Sequence, residues 1–162
     1  MIILGIDPGT ATTGYGVIER IGKTKKAKFL KCLGYGTIKT LPTSSAPERL
    51  KKINNELSKL IKAHNPEILV VESLFFFRNL KTAIPVSQAK GVILLTAAKN
   101  NIPVKEFTPM QVKLAITGFG WSEKEKVQKR IKTILKLKEL PKSDDAADAL
   151  AIAVTFCLKE NA

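Results

Sequence analysis

Histidine and cysteine are nearly missing from this chain: 162 residues hold one His and two Cys. A single imidazole, His64, excludes a histidine metal cluster, and no Ser-His-Asp or Cys-His arrangement for nucleophilic catalysis is visible. It stands beside Asn65-Pro66, where it reads as a helix-end residue. Cys32 and Cys157 are far apart and fit no metal-ligand spacing, which makes them reduced thiols of a cytoplasmic protein. No apolar run approaches the roughly 20 residues that a membrane span requires. No basic leader or small-residue cleavage site precedes the first apolar run, so the expectation is a chain without a signal peptide. A phosphate-cradling G-x-x-x-x-G-K-[ST] loop is also missing. Acids are scarce too: fourteen Asp and Glu face twenty-seven Lys and Arg, a net charge of +13. Such an excess on one domain points to a polyanionic partner, most often nucleic acid. What remains, 44% hydrophobic and 25% charged residues, is the composition of an ordinary globular protein, read as one domain over residues 1–162.

The chain opens on Ile2, Ile3, Leu4 and Ile6, an apolar segment with almost no polar alternation, suited to a strand buried on both faces. Pro8-Gly9 turns the chain and leaves Asp7 at the strand's end, where a carboxylate is costly to bury unless paired or bound to metal. Taken alone, Asp-Pro-Gly also fits an acid that merely hydrogen-bonds its own turn. Residues 15–20 and 28–40 read as two further strands joined by a basic tip, giving a three-strand antiparallel meander. Ser45-Ala-Pro-Glu48 is a capping box opening a helix to about residue 63, with Leu50, Ile53, Leu57, Leu60 and Ile61 as its buried stripe. Glu67-Ile-Leu-Val-Val-Glu72 then repeats the opening design. A helix between two such runs is a crossover, which sets the second strand parallel to the first and brings Glu72 out at the same edge as Asp7.

Residues 81–100 form a helix whose apolar positions cover more than one face. One side covers the sheet; the other fits either a second subunit or the interior of a monomer. Residues 101–107 make a short last strand, completing five. Thr108-Pro-Met-Gln111 and Ser122-Glu-Lys-Glu125 read as two more capping boxes, with an aromatic tip, Gly118-Phe-Gly-Trp121, between them. Ser143 is the expected cap of a final helix from Asp144 to about Lys159. Asp145 and Asp148, three apart, share a face of that helix. Acids in a first turn suit the helix dipole, which accounts for Asp144 but less well for the deeper Asp148.

Asp7, Glu72, Asp145 and Asp148 are thus expected to meet in an otherwise basic protein, and they repel one another unless cations lie between them. An all-oxygen set indicates a hard ion, Mg²⁺ or Mn²⁺. Two such ions about 3.5–4 Å apart activate a water and stabilise the leaving 3′ oxygen of a phosphodiester. Metal-binding acids within a basic envelope is the logic of a nuclease.

At these residues the chain resembles the RuvC family of bacterial Holliday junction resolvases. The resemblance rests on Ile3-Leu-Gly-Ile-Asp-Pro-Gly-Thr10 with Gly14-Tyr-Gly-Val17, on Val71-Glu72 followed by Phe75, and on Asp145-Ala-Ala-Asp-Ala-Leu-Ala-Ile152. It implies an α/β, RNase H-like fold, in which the antiparallel meander and then the parallel strands form a five-stranded mixed sheet flanked by helices. It implies a homodimer, Mg²⁺-dependent nicking of two opposed strands of a four-way junction, and partnership with a RuvA–RuvB branch-migration complex. The family's four acids fall on Asp7, Glu72, Asp145 and Asp148. Its exposed aromatic falls on Phe75, where stacking on an unpaired base is weighed against simple core packing, and its DNA-contacting cations fall on Lys113, Lys124 and Arg78. Some relatives carry His where Asp145 stands. Two other readings stand beside it: a related RNase H-like nuclease for another branched or hybrid nucleic acid, whose acid set would be similar, and a junction-binding protein without catalysis, against which the complete acid set argues. A phosphate-binding ATPase of the actin and sugar-kinase type needs two such domains, and this chain holds one.

Overall fold

The computed structural model describes residues 1–22, 30–73 and 80–159, the side chains of 80–82 excepted. The elements, in order, are β1 (Ile2–Asp7), β2 (Thr12–Arg20), β3 (Leu30–Lys39), α1 (Ala46–His64), β4 (Ile68–Glu72), α2 (Leu80–Lys99), β5 (Val104–Phe107), α3 (Pro109–Thr117), α4 (Lys124–Ile134) and α5 (Asp144–Lys159). The strands form one five-stranded sheet in the order β3-β2-β1-β4-β5. β1 and β2 pair antiparallel, as do β2 and β3, whereas β4 lies parallel to both β1 and β5. The meander followed by parallel strands is therefore as expected. β2 starts at Thr12, earlier than the apolar run suggests, because Asp7 pairs with Gly14 directly across the tight turn.

Both faces of the sheet are covered, which is why β1 and β4 carry no polar side chain before their terminal acids. α1 and α2 pack on one face, where Leu4, Ile6, Val17, Leu69 and Val71 meet Ile53, Leu57 and Ile93. α5, with α3 and α4 behind it, covers the other, where Ile3, Ile18 and Val70 meet Leu150, Ala153 and Val154. Successive strand residues point to opposite faces, so Ile3, Gly5 and Asp7 all look towards α5. Gly5 is there for proximity. A Cβ on it would lie 2.8 Å from the Ala153 Cβ and closer still to the Ala149 carbonyl oxygen.

Helix starts follow the predicted chemistry at two of three boxes. Glu48 accepts the Ser45 backbone N–H at 2.8 Å and the Ser45 hydroxyl at 2.9 Å. Thr108 and Gln111 cap each other reciprocally. The third box does not form. Glu123, not Ser122, is the N-cap of α4. Ser122 is only 4% exposed and spends its hydroxyl on Thr117 Oγ1, 2.7 Å away, closing the tip between α3 and α4. A side-chain partner within reach of the buried Ser122 outcompetes a solvent-side cap. At α5, the Ser143 carbonyl accepts the Ala147 N–H, while its hydroxyl donates to Asp145 Oδ2 at 3.1 Å. Cys32 and Cys157 are free thiols, and burial pushes the Cys157 thiol up to about 11. Among the described residues no helix is long and apolar enough to cross a membrane.

Candidate active site

Three elements deliver four carboxylates to one end of the sheet. Asp7 is the last residue of β1 and Glu72 the last of β4. The parallel register pairs Ile6 with Val71, so the two acids stand side by side one residue further on. Both face α5, since Gly5 and Val70, two residues earlier in each strand, pack on that side. α5 contributes Asp145 and Asp148 from its first turns. Its approach is set by Gly14: a Cβ there would fall inside contact distance of the Asp145 carbonyl and 3.0 Å from the Asp145 Cβ. The glycine that pairs with Asp7 is thus also the one that seats Asp145.

The electrostatics record this convergence. Burial, then the charges of Glu72, Asp148 and Asp145, push the Asp7 carboxyl up to about 8, against a smaller opposing pull from Lys124. Burial and Asp148 raise Glu72 to about 7, with Lys124, Lys90 and Lys113 pulling the other way. Asp148 is raised as well, chiefly by burial, although Lys124 Nζ lies 2.8 Å from its Oδ2. Lys124 also reaches Asp144 Oδ2 at 3.4 Å. Burial opposes the Lys124 ammonium, but its hydrogen bond to Asp148 and the Asp148 charge outweigh that and raise its pKa. Asp144 stands apart from the group: it is exposed and held low, first by a hydrogen bond from Gln128 and then by Lys124.

A cavity of about 270 Å³ opens at Glu72 and Asp148, walled by Lys113, Lys124, Pro109, Val112, Val127 and Ile152 among others. Of the predicted site residues, Glu72, Asp148, Lys113 and Lys124 line this cleft, and Asp7 and Asp145 adjoin it closely enough for the charges of Glu72, Asp148 and Asp145 to act on Asp7. Phe75 and Arg78 lie outside the described residues. Sequence reading missed the closeness of Lys124 to the acids, since no local pattern reports a contact 24 residues away.

The donor set fits a hard divalent cation in its chemistry: all the candidate ligand atoms are carboxylate oxygens, and their mutual repulsion is what a cation relieves. Among the described residues no three such side chains are yet drawn to coordinating distance. Asp148 is turned instead onto the Lys124 ammonium, a monovalent counter-ion for the cluster.

The family model for crossover junction endodeoxyribonuclease RuvC matches residues 3–156. The crossover junction endodeoxyribonuclease RuvC of Desulforamulus reducens is 51% identical over 154 residues, 95% of this chain and 91% of that protein. Among solved structures, Thermus thermophilus RuvC matches at a TM-score of 0.88 with 38% identity, over 98% of this chain and 94% of that one. The same protein in complex with a Holliday junction substrate matches at 0.90 with 37% identity, over 98% and 93%.

Proposed function

The chain belongs to the RuvC family of crossover junction endodeoxyribonucleases, and from that membership we propose that Asp7, Glu72, Asp145 and Asp148 are the centre with which it cuts. It is a Holliday junction resolvase. The observation that carries the site assignment is the convergence itself: carboxylates from three elements meet at one end of the sheet, where burial and their mutual charge destabilise Asp7 and Glu72 as anions. A fold retains such repulsion where a ligand relieves it. Family membership does not favour the readings as another branched-substrate nuclease or as a non-catalytic junction binder.

The four acids hold Mg²⁺, or Mn²⁺ in its place, with two ions per site. When bound, the metal supplies an activated water and charge stabilisation for the leaving 3′ oxygen. The remaining work belongs to the chain. Lys113 and Lys124, on the cleft wall beside Glu72 and Asp148, bind the phosphodiester backbone and offset its repulsion from the acids. The apolar wall of Val112, Val127 and Ile152 limits water around the scissile group and strengthens these charge interactions. Phe75 stacks on a base at the opened crossover, a contact worth roughly 1–3 kcal/mol, and Arg78 grips phosphate.

Resolution requires nicks on two opposed strands, which one site cannot easily make, and a two-fold dimer presents two. α2 supplies the face for it. Ile84, Gln88, Gly91, Leu95 and Ala98 form one exposed stripe along the helix, with Ile84 68% and Leu95 54% exposed. Ile93 points into the sheet, fully buried. Family membership also supports delivery of the junction by a RuvA–RuvB complex, in the cytoplasm.

The test is conservative amide substitution. Asp7→Asn, Glu72→Gln, Asp145→Asn and Asp148→Asn each abolish Mg²⁺-dependent cleavage of a synthetic four-way junction while binding persists, because lysines and arginines hold the DNA. Near-wild-type turnover in any one of them removes that residue from the ligand set.

A further inference from the structure

A second cavity, of about 460 Å³, opens beside Asp145 and shares no lining residue with the one at Glu72. Its walls come from the turn after β1 (Thr10) and the start of β2 (Thr12), from α1 (Arg49), from α2 (Pro85, Val86) and from Asp145. Arg49 is the cation of this cavity, and it is held in place. Its Nε donates to Thr40 Oγ1 at 2.8 Å, and that hydroxyl donates in turn to the Thr10 carbonyl at 2.6 Å. Thr40 is 8% exposed, and its backbone N–H is fixed on the Ala11 carbonyl at 3.0 Å. The side chain of Arg49 is thus tied through one nitrogen to the turn that carries Asp7. Its two terminal nitrogens make no hydrogen bond, and no carboxylate pairs with it, among the described residues. Thr10 Oγ1, in the same wall, is buried with no hydrogen-bond partner among those residues.

An oriented guanidinium with its terminal fork unspent, next to an unspent hydroxyl, matches the paired oxygens of a phosphodiester. A purely structural arginine in so basic a chain would be expected to use an acid. Building on the nuclease reading above, we propose that this cavity is a second backbone-phosphate subsite, in which Arg49 holds a non-scissile phosphate of the strand being cut. That grip sets which linkage lies over the acids.

The experiment scans single neutral methylphosphonate linkages around the cut site of a synthetic four-way junction, reading both binding and cleavage in Mg²⁺. With wild-type protein, one neutral linkage outside the cut site raises KM about tenfold, the scale of a lost charge-assisted hydrogen bond. Arg49→Gln shows the same loss on the natural junction and none further at that linkage, while its circular dichroism melt stays near wild type. Arg49→Lys, which keeps the charge without the fork, falls between them and serves in its place should the glutamine variant fail to fold. An unchanged KM, or a linkage profile in these variants identical to wild type, overturns the subsite. The two readings separate cleanly: cleavage with an unaltered profile removes the subsite alone, whereas Arg49-dependent phosphate sensitivity in binding without any cleavage keeps the subsite and removes the nuclease centre.

Discussion

The two faces of the sheet are built on opposite plans, and β1 belongs to both. Leu4 and Ile6 point to α1 and α2, into a core of branched aliphatics that fills space. Gly5 and Asp7, the alternating residues, point to α5, where small residues let backbone approach backbone. Gly5 stands opposite Gly16, and Asp7 opposite Gly14, so the glycines form a floor for Ala149, Ala153 and Asp145. Away from the acids, the same face returns to bulk, with Ile3, Ile18 and Val70 against Leu150 and Val154. One face buys stability through buried volume, while the acid end of the other holds charge at close quarters. A binding centre needs proximity first, and side-chain volume is what proximity excludes.

That contrast is broken most severely at the glycine floor. Gly14→Val places branched carbons where the Asp145 backbone lies, and no rotamer clears a backbone carbonyl. We expect a loss of about 3 kcal/mol or more, with cleavage lost even at temperatures where the protein stays folded, because α5 must back away. Leu57→Ala, on the filling face, costs a comparable ~2–5 kcal/mol through its cavity. It nevertheless leaves cleavage per folded molecule near wild type. Urea titration with parallel cleavage assays at low temperature checks the pair. Equal activity per folded molecule in both variants would mean that the floor does not position the acids.

A smaller effect has the opposite sign. Asp7 titrates at about 8 in the folded protein against an ordinary value of 3.8, so folding takes up a proton between these limits. Stability without divalent ions therefore falls as pH rises from about 4 to about 8 and levels beyond, with Glu72 adding to the slope up to about 7. Asp7→Asn, inactive, melts above wild type at pH 8 without metal, by an amount on the order of a few kcal/mol at most. The difference shrinks near pH 4. Adding Mg²⁺ raises the wild-type melt more at pH 8 than at pH 5. A wild-type stability flat from pH 5 to 8 without metal would show that no such repulsion is stored.

The smallest effect on folding separates the two sides of α2. Leu95→Glu lies on the outward stripe and changes monomer stability by about 0.5 kcal/mol or less, as surface substitutions do. Sedimentation then shows a folded monomer that nicks one strand of a junction without the paired second cut. Ile93→Glu, two residues back and on the inward side of the helix, buries a charge against the sheet and unfolds the chain. A Leu95→Glu protein that still sediments as a dimer moves the interface elsewhere.

Much of this molecule is legible in the sequence, because much of it is encoded over short distances. Apolar runs ending on Asp7 and Glu72, the helix between them and the spacing of Asp145 and Asp148 all depend on neighbours within a few residues. Chain connectivity then leaves one economical arrangement, in which a crossover makes β4 parallel to β1 and the two acids emerge together. Other features are decided only in three dimensions. Ser122 has the pattern of a helix cap, yet it is buried and the Thr117 hydroxyl claims it. The periodicity of α2 shows excess apolar surface without saying which side stays open, since that depends on where α1 and the sheet lie. Lys124 reads as one cation among many until α4 folds back and sets it 2.8 Å from Asp148. Arg49 carries no motif at all, and only Thr40 and the β1 turn, brought together by strand pairing, fix its guanidinium in the cavity that Asp145 also lines. Local sequence specifies elements and their ends through backbone sterics and hydrophobic period, whereas the partner of each charge is set by sheet register and helix docking, which sum contributions from the whole chain.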